Sequence, residues 1–282
     1  MILYKTSADI NKYLSFVTQS GKPIGFVPTM GALHDGHISL INHSKKKGNI
    51  TVCSIFVNPT QFNDPKDFAK YPVTLENDFL LLEKAGCDIV FLPTLKEIYP
   101  NGTDLQKHFD LGYLETIFEG KYRPGHFQGV CQVVSRLLEI VKPSTLYLGR
   151  KDYQQCMVIK KLIALSGWDI QVVMADTLRE ASGLAMSSRN LRLSEKDRQS
   201  AAAIYQTLQY LSSNIQSGDL ADLLNKAGQM LNTAGFEKTD YIAIAHAETL
   251  EPISDWDGQA HIVGLVAAFI GGVRLIDNMP LQ

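Results

Sequence analysis

The sequence is short of the features that mark most specialised proteins. It has no excess of charge: 27 Lys and Arg stand against 29 Asp and Glu, for a net charge of -2. That excludes the electrostatic footprint needed for nucleic acid or an anionic membrane surface. Any affinity for polyphosphate must therefore come from a local site. It has no apolar run long enough to cross a bilayer: the longest, Ile262 to Val273, contains three glycines and stops at Arg274. The opening Met1-Ile2-Leu3-Tyr4-Lys5 lacks the sustained apolar stretch of a secretory signal. The four cysteines, Cys53, Cys87, Cys131 and Cys156, are scattered in apolar contexts with no pair at zinc-ligand spacing. Buried thiols in a reducing cytoplasm are the expectation. Internal repeats, low-complexity tracts and Gly/Ser linkers are also missing. What remains is 282 residues of ordinary globular composition, 45% hydrophobic and 20% charged, enough for one large domain or two smaller ones.

The first 175 or so residues alternate between short β-rich runs and helical patterns. Strands are expected at Ile24–Val27, Ile50–Val57, Ile89–Leu92, Thr145–Leu148 and Ile170–Val173, all near-continuous apolar runs as in strands covered on both faces. Val130, Val133, Val134, Leu137, Leu138 and Val141 repeat at helical spacing. Leu75 to Ala85, closed by Gly86, predicts another helix. Strand–helix alternation of this kind implies a doubly wound α/β domain with a parallel, Rossmann-like sheet, and ligands at the carboxyl ends of its strands. After about Asp176 come helical stretches at about 194–215 and 219–234, the first opened by Ser194 with Asp197. Strand-like runs follow at Tyr241–Ala245, His261–Phe269 and Val273–Ile276. The expectation is a domain over 1–176 and a smaller α+β domain over 177–282 that covers the site.

Candidate site residues gather where strands end. The first predicted strand runs into Pro28-Thr29-Met30-Gly31-Ala32-Leu33-His34-Asp35-Gly36-His37, within which a helix should begin. Unpaired N–H groups and partial positive charge at a helix N-terminus suit phosphate. Gly31 and Gly36 permit close backbone approach, and His34 and His37 share one face of the first turn. The second strand ends in Asn58-Pro59-Thr60-Gln61-Phe62, where Gln61 can offer an amide that both donates and accepts. Arg123-Pro124-Gly125-His126-Phe127 precedes the most amphipathic helix, and Arg123 is either solvated or a clamp for a carboxylate or phosphate. Leu148-Gly149-Arg150-Lys151-Asp152-Tyr153-Gln154-Gln155 follows the fourth strand. A plain strand–loop–helix joint with a capping Asp152 explains Gly149 and Asp152, but leaves Lys151 and Gln155 unexplained. Arg179 to Asn190, with small hydroxyl residues beside an Arg, joins the two domains as an anion-seeking loop or as a solvated linker, the commoner use of such composition.

Taken together, Pro28–His37, Asn58-Pro59-x-Gln61-Phe62, Arg123–Phe127, Lys151–Gln155 and Met186-Ser187-Ser188-Arg189-Asn190 resemble the motifs of the pantothenate synthetases, in the same order. His-x-Gly-His alone marks a wider nucleotidyl-transfer superfamily; the five motifs together are more specific. The resemblance implies a Mg²⁺-dependent ligase in which pantoate attacks the α-phosphorus of ATP and β-alanine then displaces AMP. It places ATP on Met30, Gly31, Ala32, Leu33, His34, Asp35, Gly36, His37, Gly149, Arg150, Lys151, Asp152, Leu178, Met186, Ser187, Ser188 and Arg189. His34, His37 and Lys151 would carry the chemistry, with no protein ligand set for the metal. Pantoate would lie on Gln61 and Gln155, with Gln61 also touching β-alanine. A homodimer is implied as well. The chain departs from the family pattern at Arg150 (usually Glu), Val73 (often Arg), Ser182 (Asp) and Leu178 (commonly Val). Two other readings are a nucleotidylyltransferase of the same superfamily and a catalytically dead nucleotide-binding protein, the latter favoured only by Arg150.

Overall fold

The structure, a computed structural model, describes residues 1–63, 68–104 and 107–281. The chain divides into two compact units, Met1–Gly149 with Gln154–Asp176, and Arg150–Tyr153 with Thr177–Gln282. The segment Arg150–Tyr153 thus belongs with the C-terminal unit although both its neighbours in the chain belong to the first.

The first unit is built on a six-stranded parallel sheet of β1 (Ile2–Tyr4), β2 (Ile24–Thr29), β3 (Ile50–Ile55), β4 (Ile89–Phe91), β5 (Thr145–Gly149) and β6 (Gln171–Ala175). Their spatial order is β1-β4-β3-β2-β5-β6. From β2 the chain winds through β3 and β4 to one side, then returns to place β5 and β6 on the other. That reversal beside β2 is the switch point where a doubly wound sheet opens a crevice at its carboxyl edge. Helices α1 (Ser7–Gln19), α2 (Asp35–Lys46), α3 (Leu75–Lys84), α4 (His126–Val141) and α5 (Tyr153–Ser166) connect the strands. Val27, Ile41, Cys53, Leu82 and Val90 are wholly buried in one core cluster. On α4 the predicted stripe Val130, Val133, Val134, Leu137, Leu138 and Val141 is buried throughout.

One strand ends earlier than expected and one was not expected at all. The second strand stops at Ile55 rather than Val57, because Asn58 caps a 3-10 turn opened by Pro59. The three-residue strand β1, paired in parallel with β4, was too short to stand out as a periodic pattern.

The second unit packs α6 (Glu195–Ala201), α7 (Ala203–Asn214) and α8 (Ala221–Thr233) with an antiparallel sheet. Its strands are β7 (Lys238–His246), β8 (Ile262–Ile270) and β9 (Val273–Pro280), with β8 central. Leu208, Leu211, Leu231, Ile262 and Val266 are fully buried between them. The single helical stretch expected over 194–215 is two helices. At Ala202 the ladder tightens, its N–H bonding the carbonyl of Gln199 three residues back. Ser194 caps α6 through the N–H of Asp197, as its spacing predicted. Among the described residues no helix is long and apolar enough to cross a membrane.

Candidate active site

At the end of β2 the backbone leaves the sheet in an unusual conformation. Gly31 and Ala32 both have positive φ, 80° and 49°. Glycine adopts this readily, whereas alanine is strained there by about 1–2 kcal/mol. The strain is held by a residue that sequence reasoning missed. Asp78 of α3, fully buried, accepts the N–H of Ala32 at 3.0 Å and of Leu33 at 2.8 Å, and the Thr74 hydroxyl at 3.0 Å. A side chain on Gly31 would press within 3.0 Å of that carboxylate. The one available signal was a charge on the otherwise apolar, buried face that Asp78 shares with Leu82.

His34 is the N-cap of α2. Its Nδ1 accepts the N–H of Gly36 at 3.2 Å, while Nδ1 of His37 accepts the N–H of His34 at 3.4 Å, a capping box made from two imidazoles. The ring centroids lie 4.1 Å apart and both side chains are half-buried. Because each Nδ1 is an acceptor, a neutral ring carries its proton on Nε2. The helix end therefore combines oriented N–H groups with two imidazole donors, a surface suited to an anion. Asp35, next to them, is exposed.

The neighbouring strand end, after β3, presents Gln61. Asn58 is buried and its Oδ1 accepts the hydroxyls of Tyr99 (2.7 Å) and Thr60 (3.1 Å), while its Nδ2 reaches Gly129 O and Gln61 Oε1. Helix α4 approaches so closely that a Cβ on Gly129 would collide with the Thr60 carbonyl. Gln61 Nε2 donates to the sulfur of Met30, which ties the two strand ends together. Arg123, considered above as a ligand clamp, donates to the Gln61 carbonyl at 3.3 Å and pairs with Glu119 at 3.5 Å. His126 Nδ1 lies 2.8 Å from the same carbonyl. Arg123 and His126 therefore brace the Gln61 turn.

The last residue of β5, on the other side of β2, is Gly149, half-buried and with open space where a Cβ would stand. Two consecutive glutamines on α5 differ sharply. Gln154 is buried, bonding the N–H of Glu119 and the carbonyls of Leu114 and Ile117. Gln155 is half-buried and its amide makes no hydrogen bond among the described residues. Met30 to His37, Gln61, Gly149 and Gln155 thus all belong to the carboxyl ends, or the helices directly after, of the adjacent strands β3, β2 and β5.

The remaining candidates belong to the second unit. Arg150–Asp152 is a 3-10 turn. Asp152 does not act as the helix cap expected of it; its carboxylate takes the ammonium of Lys151 at 3.3 and 3.4 Å. Arg150 is half-buried and its carbonyl accepts from Asn278. Leu178 is exposed and its carbonyl accepts the Met186 N–H at 3.0 Å. Ser187 caps the 3-10 turn Ser188–Arg192 through the N–H of Arg189. Ser188 is buried within that turn. Lys151, Ser187 and Arg189 line one cleft with Arg274 and Asp277. Burial pushes the Asp277 carboxyl up, against the pull of the Arg179 guanidinium. Of the departures from the family pattern, Val73 is exposed at the lip of an apolar cleft beside Met30 and Gly31, and the Ser182 hydroxyl takes the Leu184 N–H at 3.4 Å.

A parallel sheet of this order, with a positive-φ turn opening a helix at the switch point, defines a Rossmann-type nucleotide-binding class of protein. Comparison with known proteins narrows this. The family model described as pantoate-beta-alanine ligase matches residues 2–280, and the chain belongs to that family. It is 42% identical to the pantothenate synthetase of Cytophaga hutchinsonii, over 100% of this chain and 99% of the relative. It is 44% identical to that of Azobacteroides pseudotrichonymphae, over 99% of each. Among solved structures, the pantothenate synthetase of Thermus thermophilus superposes with a TM-score of 0.92 at 40% identity, covering 100% of both chains. The Francisella tularensis pantoate-beta-alanine ligase, complexed with beta-gamma ATP and beta-alanine, superposes with a TM-score of 0.83 at 38% identity over 100% of this chain and 98% of that one.

Proposed function

We propose that this chain joins pantoate to β-alanine with cleavage of ATP, by way of pantoyl adenylate. The observation that carries the reading is the paired capping of α2, in which both imidazoles turn Nδ1 to the backbone and so hold their protons on Nε2. A pantoate carboxylate is ionised at neutral pH, with a pKa of about 4, so its attack on the α-phosphorus needs no general base. It needs alignment and stabilisation of the charge that develops on the triphosphate as pyrophosphate departs. Two Nε2–H donors and a helix end supply that without rearrangement. Lys151 adds a full positive charge to the proposed set. Met30, Gly31, Ala32, Leu33, Asp35 and Gly36, with Gly149, Arg150, Asp152, Leu178, Met186, Ser187, Ser188 and Arg189, complete the proposed nucleotide contacts. Gln61 and Gln155 are proposed to hold pantoate, with Gln61 also touching β-alanine; the β-alanine bound in the Francisella tularensis ligase supports that substrate. Arg123 acts through the Gln61 turn.

Mg²⁺ would enter with the nucleotide. By the family likeness, phosphate oxygens of the bound nucleotide would carry it. When bound it would neutralise phosphate charge. The four thiols are free and buried, which supports a reducing compartment, the cytoplasm. A homodimer rests on the family likeness, and sedimentation would test it.

The deciding experiment follows pyrophosphate and AMP separately. Pyrophosphate release that requires pantoate, followed by AMP release and amide formation on adding β-alanine, is the expected result. AMP retained on the final product would instead mark a nucleotidylyltransferase.

A further inference from the structure

Asn278, on β9, is 3% exposed and directs both hydrogens of its amide at one turn. Nδ2 donates to the carbonyl of Arg150 at 2.9 Å and of Lys151 at 2.7 Å. Its own Oδ1 is buried without a hydrogen-bond partner among the described residues. Burying an oxygen without a partner is costly, so stability alone does not explain an amide at this position. The adjacent Asp277 accepts the Asn278 N–H at 2.8 Å and takes both terminal nitrogens of Arg179. Arg179 in turn stacks on Tyr205 at 4.0 Å and donates to Gly183 O. The backbone amide of Asn278 is thus fixed from one side, and its side chain fixes the turn on the other. Among the described residues Lys151 Nζ is tethered only to its neighbour Asp152, so the direction of the ammonium follows the peptide that Asn278 holds.

We infer that Asn278 is a positioning residue for Lys151, holding the turn from which the ammonium is directed onto the triphosphate. This rests on the reading of Lys151 as a phosphate ligand. A cycle of Lys151→Ala, Asn278→Ala and the double variant tests it, with pantoate-dependent pyrophosphate release as readout. Asn278→Ala should lower kcat about 10-fold and leave the pantoate KM within about twofold. On the Lys151→Ala background the same substitution should change kcat by less than about twofold, since the group through which it acts is gone. Equal losses on both backgrounds, or no loss in the single variant, overturn the inference. Full activity of Lys151→Ala would sink the reading of Lys151 instead, which is a separate result. If circular dichroism shows Asn278→Ala unfolded, Asn278→Ser, which keeps one donor, takes its place in the cycle. Its loss should likewise vanish on the Lys151→Ala background, and a persistent loss overturns the proposal.

Discussion

Asp78 Oδ2 sits 3.0 Å from the backbone nitrogen of Ala32, 46 residues earlier in the chain, and this bond holds the strained turn that leads into the His-x-Gly-His motif. Hydrogen bonds to a buried charged group are worth about 1.5–3 kcal/mol each. Asp78→Ala should therefore lower the thermal midpoint by about 5 °C or more. It should also raise the ATP KM, because the loop N–H groups lose their fixed direction. Thermal melts and initial-rate kinetics check both, and an unchanged ATP KM would limit Asp78 to stability.

His37→Ala should stay folded and lose about 100- to 1,000-fold in kcat for adenylate formation, the scale seen when a donor to developing charge is removed. His37→Gln, which can still donate, should recover part of that loss. Near-normal turnover of His37→Ala would remove the ring from the chemistry.

The two glutamines at the start of α5 predict opposite phenotypes. Gln155→Ala should raise the pantoate KM more than the ATP KM, with stability unchanged. Gln154→Ala, which takes from three backbone groups the amide they bond, should lower stability by about 1–3 kcal/mol. Denaturant midpoints beside Michaelis constants separate the cases; equal rises in both constants for Gln155→Ala would count against its role.

At Gly129 a single methyl group would run into the Thr60 carbonyl. Gly129→Ala should cost about 1–3 kcal/mol through overpacking and impair pantoate binding by displacing Gln61. A fully active variant of wild-type stability would show that α4 can retreat.

Burial pushes the thiols of Cys87 and Cys131 up to about 12, and that of Cys53 well above its ordinary value. An unfolded thiol ionises near pH 8.5, so between about 8.5 and 12 the folded chain binds more protons than the unfolded one. Stability must then fall as pH rises through that window and stay flat with respect to these groups below it. Urea midpoints from pH 7 to 11 check the sign. The native thiols should also resist alkylation at pH 8 until denaturant is added.

Residues that announce themselves by type were legible in the sequence. The apolar strands, the α4 stripe, the helix opened by His34 and the Gly86 cap needed only local pattern. Asp78, Gly129 and Asn278 were not, because the group each serves lies far away along the chain and only the fold brings it near. The break at Ala202 was hidden because it carries no glycine or proline. Arg123 read evenly as a solvated side chain or a ligand clamp, since its partner, the Gln61 carbonyl, is a backbone atom that no side-chain pattern reveals.

The amide that steadies Lys151 comes from a strand 127 residues further on. The turn between β2 and α2 takes its brace from Asp78, 46 residues from Ala32, whereas the lysine turn depends on a side chain of β9. A chain cut before Asn278 would keep the Asp78 brace of the histidine end and lose both bonds to the Arg150 and Lys151 carbonyls.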